Sequence, residues 1–303
     1  MRKVEKVGVV GFGVMGREIT RLCAQHDFKV IAYDVDEQIL QSGLGEIKDG
    51  RWGLSGAVAK GKLTHEQAEA AMNRIIVTTD MGEVCRQSDY IIEAVPEDLE
   101  LKKKVFEELD FKTGEDVVLA SNTSMLPITF IAAATQNPER VITAHFFQPV
   151  AVMKLLEISL GRLTSEDTLQ ITKQLGIKLD RIIAIARDTG TGVPSTRLSN
   201  ALLAEAMRLL EEGVATPRNI DICARYGHGY PMGPLEMRDQ VVGWEIVARI
   251  WDGMLRTTGD PKWTAPPLMK QMFPLGYKGN PKIWKDSKGG IYEFFDEERI
   301  GEE

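Results

Sequence analysis

The sequence predicts an α/β protein with two domains, a doubly wound parallel sheet over residues 1–188 and a mostly α-helical domain over residues 189–303. Three observations lead to this prediction. Short apolar strands alternate with helical segments over residues 7–186, as in βαβ units. A glycine-rich turn follows the first strand, and a segment rich in helix breakers, 188–194, separates this pattern from long amphipathic helical periods.

The first strand leads into three glycines with the spacing Gly-x-Gly-x-x-Gly, and a helix follows them. The motif consists of Gly11, Phe12, Gly13, Val14, Met15 and Gly16. In such motifs the first glycine allows a tight turn, the second a close approach of a pyrophosphate, and the third the packing of helix on strand. The first helical turn would then bind the phosphates through its amides and dipole. This strand–turn–helix context predicts a Rossmann-like dinucleotide site.

The second strand, residues 29–33, is followed by Asp34, which stands 23 positions after Gly11 (34 − 11). A carboxylate here accepts hydrogen bonds from an adenosine ribose and repels the 2′-phosphate of NADP. Alternatively, Asp34 caps the next helix, although Asp36 can fill that role. We therefore expect the cofactor to be NAD.

Patterning predicts the remaining elements. Residues 37–63 form a helical arm carrying Lys48, Arg51, Lys60 and Lys62, and Thr64 begins a capping box with Gln67. Further strands are expected over 75–79, 90–95, 117–120, 141–147, 152–158 and 181–186, with helices over 99–109, after Pro127 and over 166–175. The second domain should contain helices over 196–212, 217–227 and 244–255, and one short strand over 291–295.

Composition restricts the possible partners. The net charge of −7 and the lack of a long basic run argue against nucleic acid. No apolar run approaches the ~20 residues of a membrane span, and the N-terminus leads into the first strand without a signal peptide. Three widely spaced cysteines suggest neither disulfides nor a metal site. We expect a cytoplasmic protein without nucleic-acid or membrane partners.

His145 is the candidate general base because it ends an apolar strand, where open sheets of this kind bind their ligands. An imidazole with an unperturbed pKa of about 6.5 suits proton transfer at neutral pH. A satisfied core histidine is the alternative. Glu157 lies within the next apolar run, where it could accept a hydrogen bond from His145 if that run returns beside the first. Otherwise Glu157 would be solvated or paired with Lys154.

Three polar residues follow other strand ends. Ser124 could hydrogen-bond a substrate hydroxyl, or it could belong to a cluster that merely caps a helix. Glu97 and Lys102 could contact the nicotinamide ribose, or they could form an ordinary charged helix face.

Six motifs resemble the L-3-hydroxyacyl-CoA dehydrogenase family nearly end to end. They are residues 11–16, Glu93-Ala94-Val95-Pro96-Glu97, Ser121-Asn122-Thr123-Ser124, His145-Phe146-Phe147-Gln148-Pro149, Met153-Lys154-Leu155-Leu156-Glu157 and Gly229-Tyr230-Pro231-Met232-Gly233-Pro234-Leu235-Glu236. The resemblance implies oxidation of a 3-hydroxyacyl-CoA by NAD, with His145 as base and Glu157 as its partner. It places Ser124 against substrate and cofactor, puts Asp34, Glu97, Lys102 and Gln148 on the cofactor, and implies a homodimer with a helical second domain.

The chain departs from the family pattern at three places. Gln148 replaces an asparagine, and the linker lacks the asparagine that polarises the substrate oxygen, whose place falls near Ser195, Thr196 or Asn200. The arm has Gly50 and Ala57 near the family's serine and lysine contacts to CoA. These departures leave two alternatives: a dehydrogenase of a free hydroxy acid, of sugar-acid or carnitine type, or a weakly catalytic NAD(H)-binding protein.

Overall fold

The chain divides into two compact units, Met1–Val193 and Pro194–Glu303, here called the first unit and the helical unit. The structure is a computed structural model that describes residues 3–190 and 192–300. Thr191 of the predicted junction, with Met1, Arg2 and the last three residues, lies outside the described residues. The division falls five positions after the predicted boundary at 188 (193 − 188).

The first unit is organised around an eight-stranded sheet with the strand order β3-β2-β1-β4-β5-β6-β7-β8. All eight strands predicted for this part of the chain are present. They are β1 (Lys6–Val10), β2 (Lys29–Tyr33), β3 (Ile75–Thr78), β4 (Tyr90–Glu93), β5 (Val118–Ser121), β6 (Val141–Phe146), β7 (Leu155–Leu160) and β8 (Ile182–Arg187). Every neighbouring pair is parallel except β6 and β7, which run antiparallel.

The single antiparallel pair has a simple cause in chain length. Eight residues, 147–154, connect β6 to β7, whereas a parallel crossover needs about a dozen or more. The chain therefore turns back, and β8 follows β7 in the reversed direction. The doubly wound sheet is thus mostly parallel.

Helices cover both faces of this sheet. They are α1 (Val14–Gln25), α2 (Glu37–Asp49), α3 (Leu54–Ala59), α4 (His65–Asn73), α5 (Met81–Gln87), α6 (Leu99–Lys112), α7 (Ile128–Ala132) and α8 (Glu166–Lys178). The predicted arm consists of α2 and α3. Asp36 caps α2, and Thr64 with Gln67 forms the predicted capping box of α4.

Two apolar clusters fill the space between the sheet and its helices. Alternate strand residues contribute to opposite clusters, as in β1, where Val9 belongs to one and Val10 to the other. Because successive side chains of a strand point to opposite faces, this division means that the sheet is buried on both sides. Two-sided burial leaves the ends of the strands as the place for a ligand.

The helical unit contains α9 (Pro194–Glu211), α10 (Pro217–Ile222), α11 (Pro234–Met237), α12 (Trp244–Thr258), α13 (Pro267–Met272) and α14 (Ile291–Phe294). Its core includes Met207, Trp244 and Trp251, which are buried. Two short π-helical turns, Cys223–Gly227 and Arg238–Val242, extend α10 and α11. Within the described residues, no helix of either unit has the length and apolarity to cross a membrane.

The strand predicted over 291–295 is wrong, because Ile291–Phe294 form α14 and Phe295 is its C-cap. The Gly290 amide donates to the Glu293 carboxylate at 2.6 Å, which caps the turn, and the Ile291 amide donates to Asp239 at 2.9 Å. Ile291 and Tyr292 are both buried in the helical core. Local capping and burial against helices therefore override the β-favouring composition of this short run.

Candidate active site

The glycine turn has the backbone geometry that the motif predicts. Gly11 has a φ of +93°, and its amide donates to the Tyr33 carbonyl at 2.9 Å. A Cβ on Gly16 would lie 1.8 Å from the Gly11 carbonyl oxygen, so helix α1 can pack this closely only with glycine there. At Gly13 a Cβ would meet nothing within 4 Å. The turn is therefore closely packed against α1 at Gly16, whereas the space at Gly13 is open, which fits the approach of a pyrophosphate.

Asp34 is hydrogen-bonded to this glycine turn. Its Oδ2 accepts a hydrogen bond from the Phe12 amide at 2.8 Å, while the Asp36 amide approaches its Oδ1 at 3.3 Å. The Phe12 side chain is buried against the arm, where a Cβ on Gly43 would collide with its ring at 2.5 Å. Phe12 can thus offer a ligand only its backbone. The capping role weighed for Asp34 belongs to Asp36, whose side chain accepts from the Gln38 amide.

His145 and Glu157 are direct partners across the antiparallel pair β6–β7. Nδ1 of His145 lies 3.1 Å from Oε2 of Glu157, and the Glu157 side chain is only 3% exposed. The alternative pairing of Glu157 with Lys154 does not occur, since Lys154 pairs with Asp180 at 2.6 Å. This contact fixes the hydrogen on Nδ1 of a neutral imidazole and leaves Nε2 as the acceptor.

Lys102 and Glu97 do not form an exposed helix face. Lys102 is 1% exposed, and its Nζ lies 2.5 Å from Glu93, 3.1 Å from the Val95 carbonyl and 3.4 Å from Glu97. Burial raises the pKa of the Glu93 carboxyl, and the charge of Lys102 opposes that effect. Glu93, for which no role was predicted, fixes the ammonium in place. A contact of Lys102 with the cofactor stays a prediction.

Glu97 connects the end of β4 with the loop after β5. Its Oε1 accepts from the Thr123 hydroxyl at 2.6 Å and from the Ser124 and Met125 amides at 3.1 Å. Farther along the sheet edge, Asn122 accepts from the Phe146 amide at 2.8 Å. These contacts hold the Ser124 loop next to the end of β6, beside His145.

Gln148 and Val14 line a common pocket with Arg17, Arg21 and Trp52. A second pocket, a cavity of about 170 Å³, adjoins it and is lined by Arg21, Arg51, Trp52, Lys60, Lys62 and Arg181. Arg21 is 4% exposed, and its Nη2 has no hydrogen-bond partner within the described residues. Trp52 and Arg21 were not predicted as site residues, because neither belongs to a recognisable motif.

Asn200 is an unsuitable replacement for the missing linker asparagine. Its Oδ1 accepts from the Trp251 indole at 2.7 Å, and its Nδ2 donates to the Thr196 carbonyl at 2.8 Å. Both ends of this buried amide are therefore engaged within the helical unit. Of the three residues considered for the place of the linker asparagine, Ser195 and Thr196 remain.

Comparison with known proteins decides the family. Residues 6–189 match the model of the 3-hydroxyacyl-CoA dehydrogenase NAD binding domain, and residues 192–286 match the C-terminal domain of the same enzymes. The chain belongs to the 3-hydroxyacyl-CoA dehydrogenase family. It is accordingly an NAD-dependent oxidoreductase acting on a 3-hydroxyacyl-CoA, as the resemblance implied.

Individual members of the 3-hydroxyacyl-CoA dehydrogenase family are similar over nearly the whole of this chain. A probable 3-hydroxybutyryl-CoA dehydrogenase of Bacillus subtilis is 34% identical over 96% of this chain and 98% of its own. The 3-hydroxyadipyl-CoA dehydrogenase of Escherichia coli is 33% identical over 97% of this chain, which spans 60% of that protein. The crystal structure of (S)-3-hydroxybutyryl-CoA dehydrogenase from Ralstonia eutropha has 31% identity and a TM-score of 0.87, covering 96% of this chain and 99% of that one.

The position of Asp34 generates a prediction about cofactor choice. Asp34→Asn keeps an acceptor for the Phe12 amide but removes the charge. Because hydrogen bonds to charged groups contribute about 1.5–3 kcal/mol, we expect NADH affinity to fall roughly ten- to a hundredfold and NADPH affinity to fall much less. Fluorescence titration with both cofactors measures this. Asp36→Asn is the matched control, since asparagine caps α2 equally well. Equal losses for NADH and NADPH would contradict the ribose contact.

Proposed function

We propose that His145 and Glu157 carry out the proton transfer of this dehydrogenase. The observation that supports this is the 3.1 Å contact between Nδ1 of His145 and Glu157, made within a strand pair that allows little movement. Nε2 accepts the proton of the 3-hydroxyl group, and the Glu157 carboxylate stabilises the resulting imidazolium. NAD, when bound, supplies the hydride acceptor. Ser124, on the loop beside His145, orients the substrate oxygen.

The first test is oxidation of NADH by the purified protein with acetoacetyl-CoA or acetoacetate at matched concentrations. We expect turnover of the thioester alone. His145→Ala should lower kcat by at least a hundredfold, the lower range for loss of a general base, with the NADH dissociation constant nearly unchanged. His65→Ala, at the exposed start of α4, is the control.

Other outcomes have distinct meanings. Turnover of acetoacetate at the same rate would favour a dehydrogenase of free hydroxy acids, and NADH binding without turnover of any 3-ketoacyl-CoA would favour a binding protein. Full activity of His145→Ala would refute the assignment of the base.

We propose that the basic pocket beside α2 and α3 binds the phosphates and adenine of CoA. Arg51 and Lys60 flank Trp52, with Arg51 Cζ 5.4 Å and Lys60 Nζ 5.7 Å from the ring centroid. Cations next to an aromatic face suit a ligand that joins phosphates to a purine. Arg21 adds a buried guanidinium with an open N–H. Among the arm cations considered for this role, Arg51, Lys60 and Lys62 line the pocket.

Comparing a thioester that has the CoA nucleotide with one that lacks it tests the proposed phosphate contact. For Arg51→Gln combined with Lys60→Gln, we expect the KM for acetoacetyl-CoA to rise about three- to tenfold, because exposed charges contribute modestly, and kcat to stay unchanged. The KM for acetoacetyl-pantetheine, which lacks the nucleotide phosphates, should not change. Lys112→Gln, on α6, is the control. An equal rise with both thioesters would argue against phosphate binding here.

We propose that the helical unit forms a homodimer. Two leucines one turn apart on α9, Leu198 and Leu202, are exposed, with Leu198 at 73%. Tyr226 is also exposed in this unit. An apolar helix face in water favours association with another apolar surface.

Sedimentation velocity tests the dimer. The wild-type chain should sediment as a dimer, and Leu198→Glu with Leu202→Glu should shift it toward the monomer because each glutamate would have to be desolvated. Ile177→Glu, at an exposed position of α8 in the first unit, should remain dimeric. A monomeric wild-type chain would contradict the proposal.

We propose a cytoplasmic location because the cysteines are free thiols. All three cysteines are free, Cys23 and Cys85 being buried and Cys223 exposed. Burial raises the pKa of Cys85 to about 11, which holds that group as an unreactive thiol. Free thiols of this kind are typical of reducing compartments.

A further inference from the structure

Glu18 is a buried carboxylate on α1, the helix that begins at the glycine turn. It stands two residues after Gly16, and only 8% of it is exposed. Its Oε2 accepts a hydrogen bond from the Val150 amide at 2.5 Å, across 132 positions of the sequence. It forms no ion pair with a described residue. Because burying a carboxylate without hydrogen bonds is unfavourable, the Val150 amide is an important partner of Glu18.

Arg21 is a second charged residue of α1, three positions after Glu18. Burial lowers the pKa of the Arg21 guanidinium, and the charge of Glu18 opposes that effect. Glu18 therefore has two separable properties. Its charge acts on Arg21, and its oxygen accepts from the backbone of Val150. A glutamine in its place would lose the first property and keep the second.

The loop of residues 147–154, which connects β6 to β7, is held on both sides of Val150. The side chain of Val150 is buried in the apolar core, and its carbonyl accepts from the Arg181 guanidinium at 3.1 Å. Arg181, which directly precedes β8, also donates to the Met153 carbonyl at 3.0 Å. Glu18 and Arg181 thus fix the backbone of this loop through its amide and carbonyl groups.

The first residues of the same loop reach the candidate active site. Phe147 packs against the ring of His145, with 4.4 Å between the ring centroids. Gln148, a predicted cofactor contact, stands two residues before Val150 and lines a pocket together with Glu18. A shift of the Val150 backbone would therefore move the residues next to the imidazole.

We propose that Glu18 is a positioning residue for hydride transfer, because it ties the loop of Gln148 to the helix whose first turn is expected to bind the cofactor phosphates. This inference rests on the proposed function. Helix and loop then move as one body, which keeps the nicotinamide ring and His145 at a constant separation. Small displacements of reacting groups slow a reaction strongly. In this role Glu18 contacts neither the reacting carbon nor the nicotinamide ring.

Single-turnover kinetics test this role. With the protein in excess, stopped-flow absorbance follows the oxidation of NADH by acetoacetyl-CoA, and the rate constant does not depend on the fraction of active protein. Glu18→Met removes the acceptor, and we expect this rate constant to fall about tenfold or more while the NADH dissociation constant stays nearly unchanged. Glu18→Gln, which keeps an acceptor for the Val150 amide, should restore most of the rate. Glu69→Met, at an exposed position of α4, is the control.

Glu18→Asp keeps the charge but is one methylene shorter, so it provides the same test with a smaller expected loss if Glu18→Met does not fold. An unchanged rate constant in the folded variant that lacks the Val150 contact would overturn the proposal. A Glu18→Gln variant as slow as Glu18→Met would overturn it too, by assigning the effect to the charge beside Arg21. Failure of the proposed function is distinct, since it appears as full activity of His145→Ala, a variant that retains Glu18.

Discussion

The antiparallel pairing of β6 with β7 is the constraint on which the candidate chemistry depends. A parallel strand in the place of β7 would need a long crossover and would run its side chains in the opposite order. The short return after β6 instead sets His145 directly opposite Glu157, in a register fixed by main-chain hydrogen bonds and two-sided burial. The imidazole is oriented by the sheet itself. If His145 is the general base, an imidazole fixed in this way needs little reorganisation when substrate binds.

Side-chain contacts also connect the ends of β4 and β5 to the β6–β7 pair. Lys102 forms ion pairs with the buried Glu93 and with Glu97. Glu97 accepts a hydrogen bond from the Ser124 amide, and Asn122, in the same loop, accepts one from the Phe146 amide of β6. Because a buried ion pair without one partner leaves an uncompensated charge, these loops resist displacement. Glu97 and Lys102, which the sequence predicted as cofactor contacts, therefore support the loops that surround the candidate site.

The features that the sequence predicted well share a local cause. The glycine turn, the capping box of α4 and the eight strands follow from backbone requirements and from patterns within a few residues. The errors and omissions depend on distant partners. Residues 291–295 have strand-like composition, yet Asp239 and the helical core convert them to a helix. Likewise, Arg238 donates to Ser199, which lies 39 residues away in sequence, and no periodicity reveals such a contact.

A buried arginine in a basic pocket would also explain how an acidic chain accepts an anionic ligand. With a net charge of −7, long-range attraction gives CoA no advantage, so binding must come from local, desolvated cations. Arg21 lies in the basic pocket of the first unit, and Arg238 lies in the helical unit; each retains an N–H without a partner within the described residues. Arg21 has Arg51, Lys60 and Lys62 of the arm around it, a set of cations that suits a phosphate. Because a buried N–H without a partner destabilises the free protein and a suitable anion would satisfy it, the same feature that weakens the fold would increase discrimination between ligands.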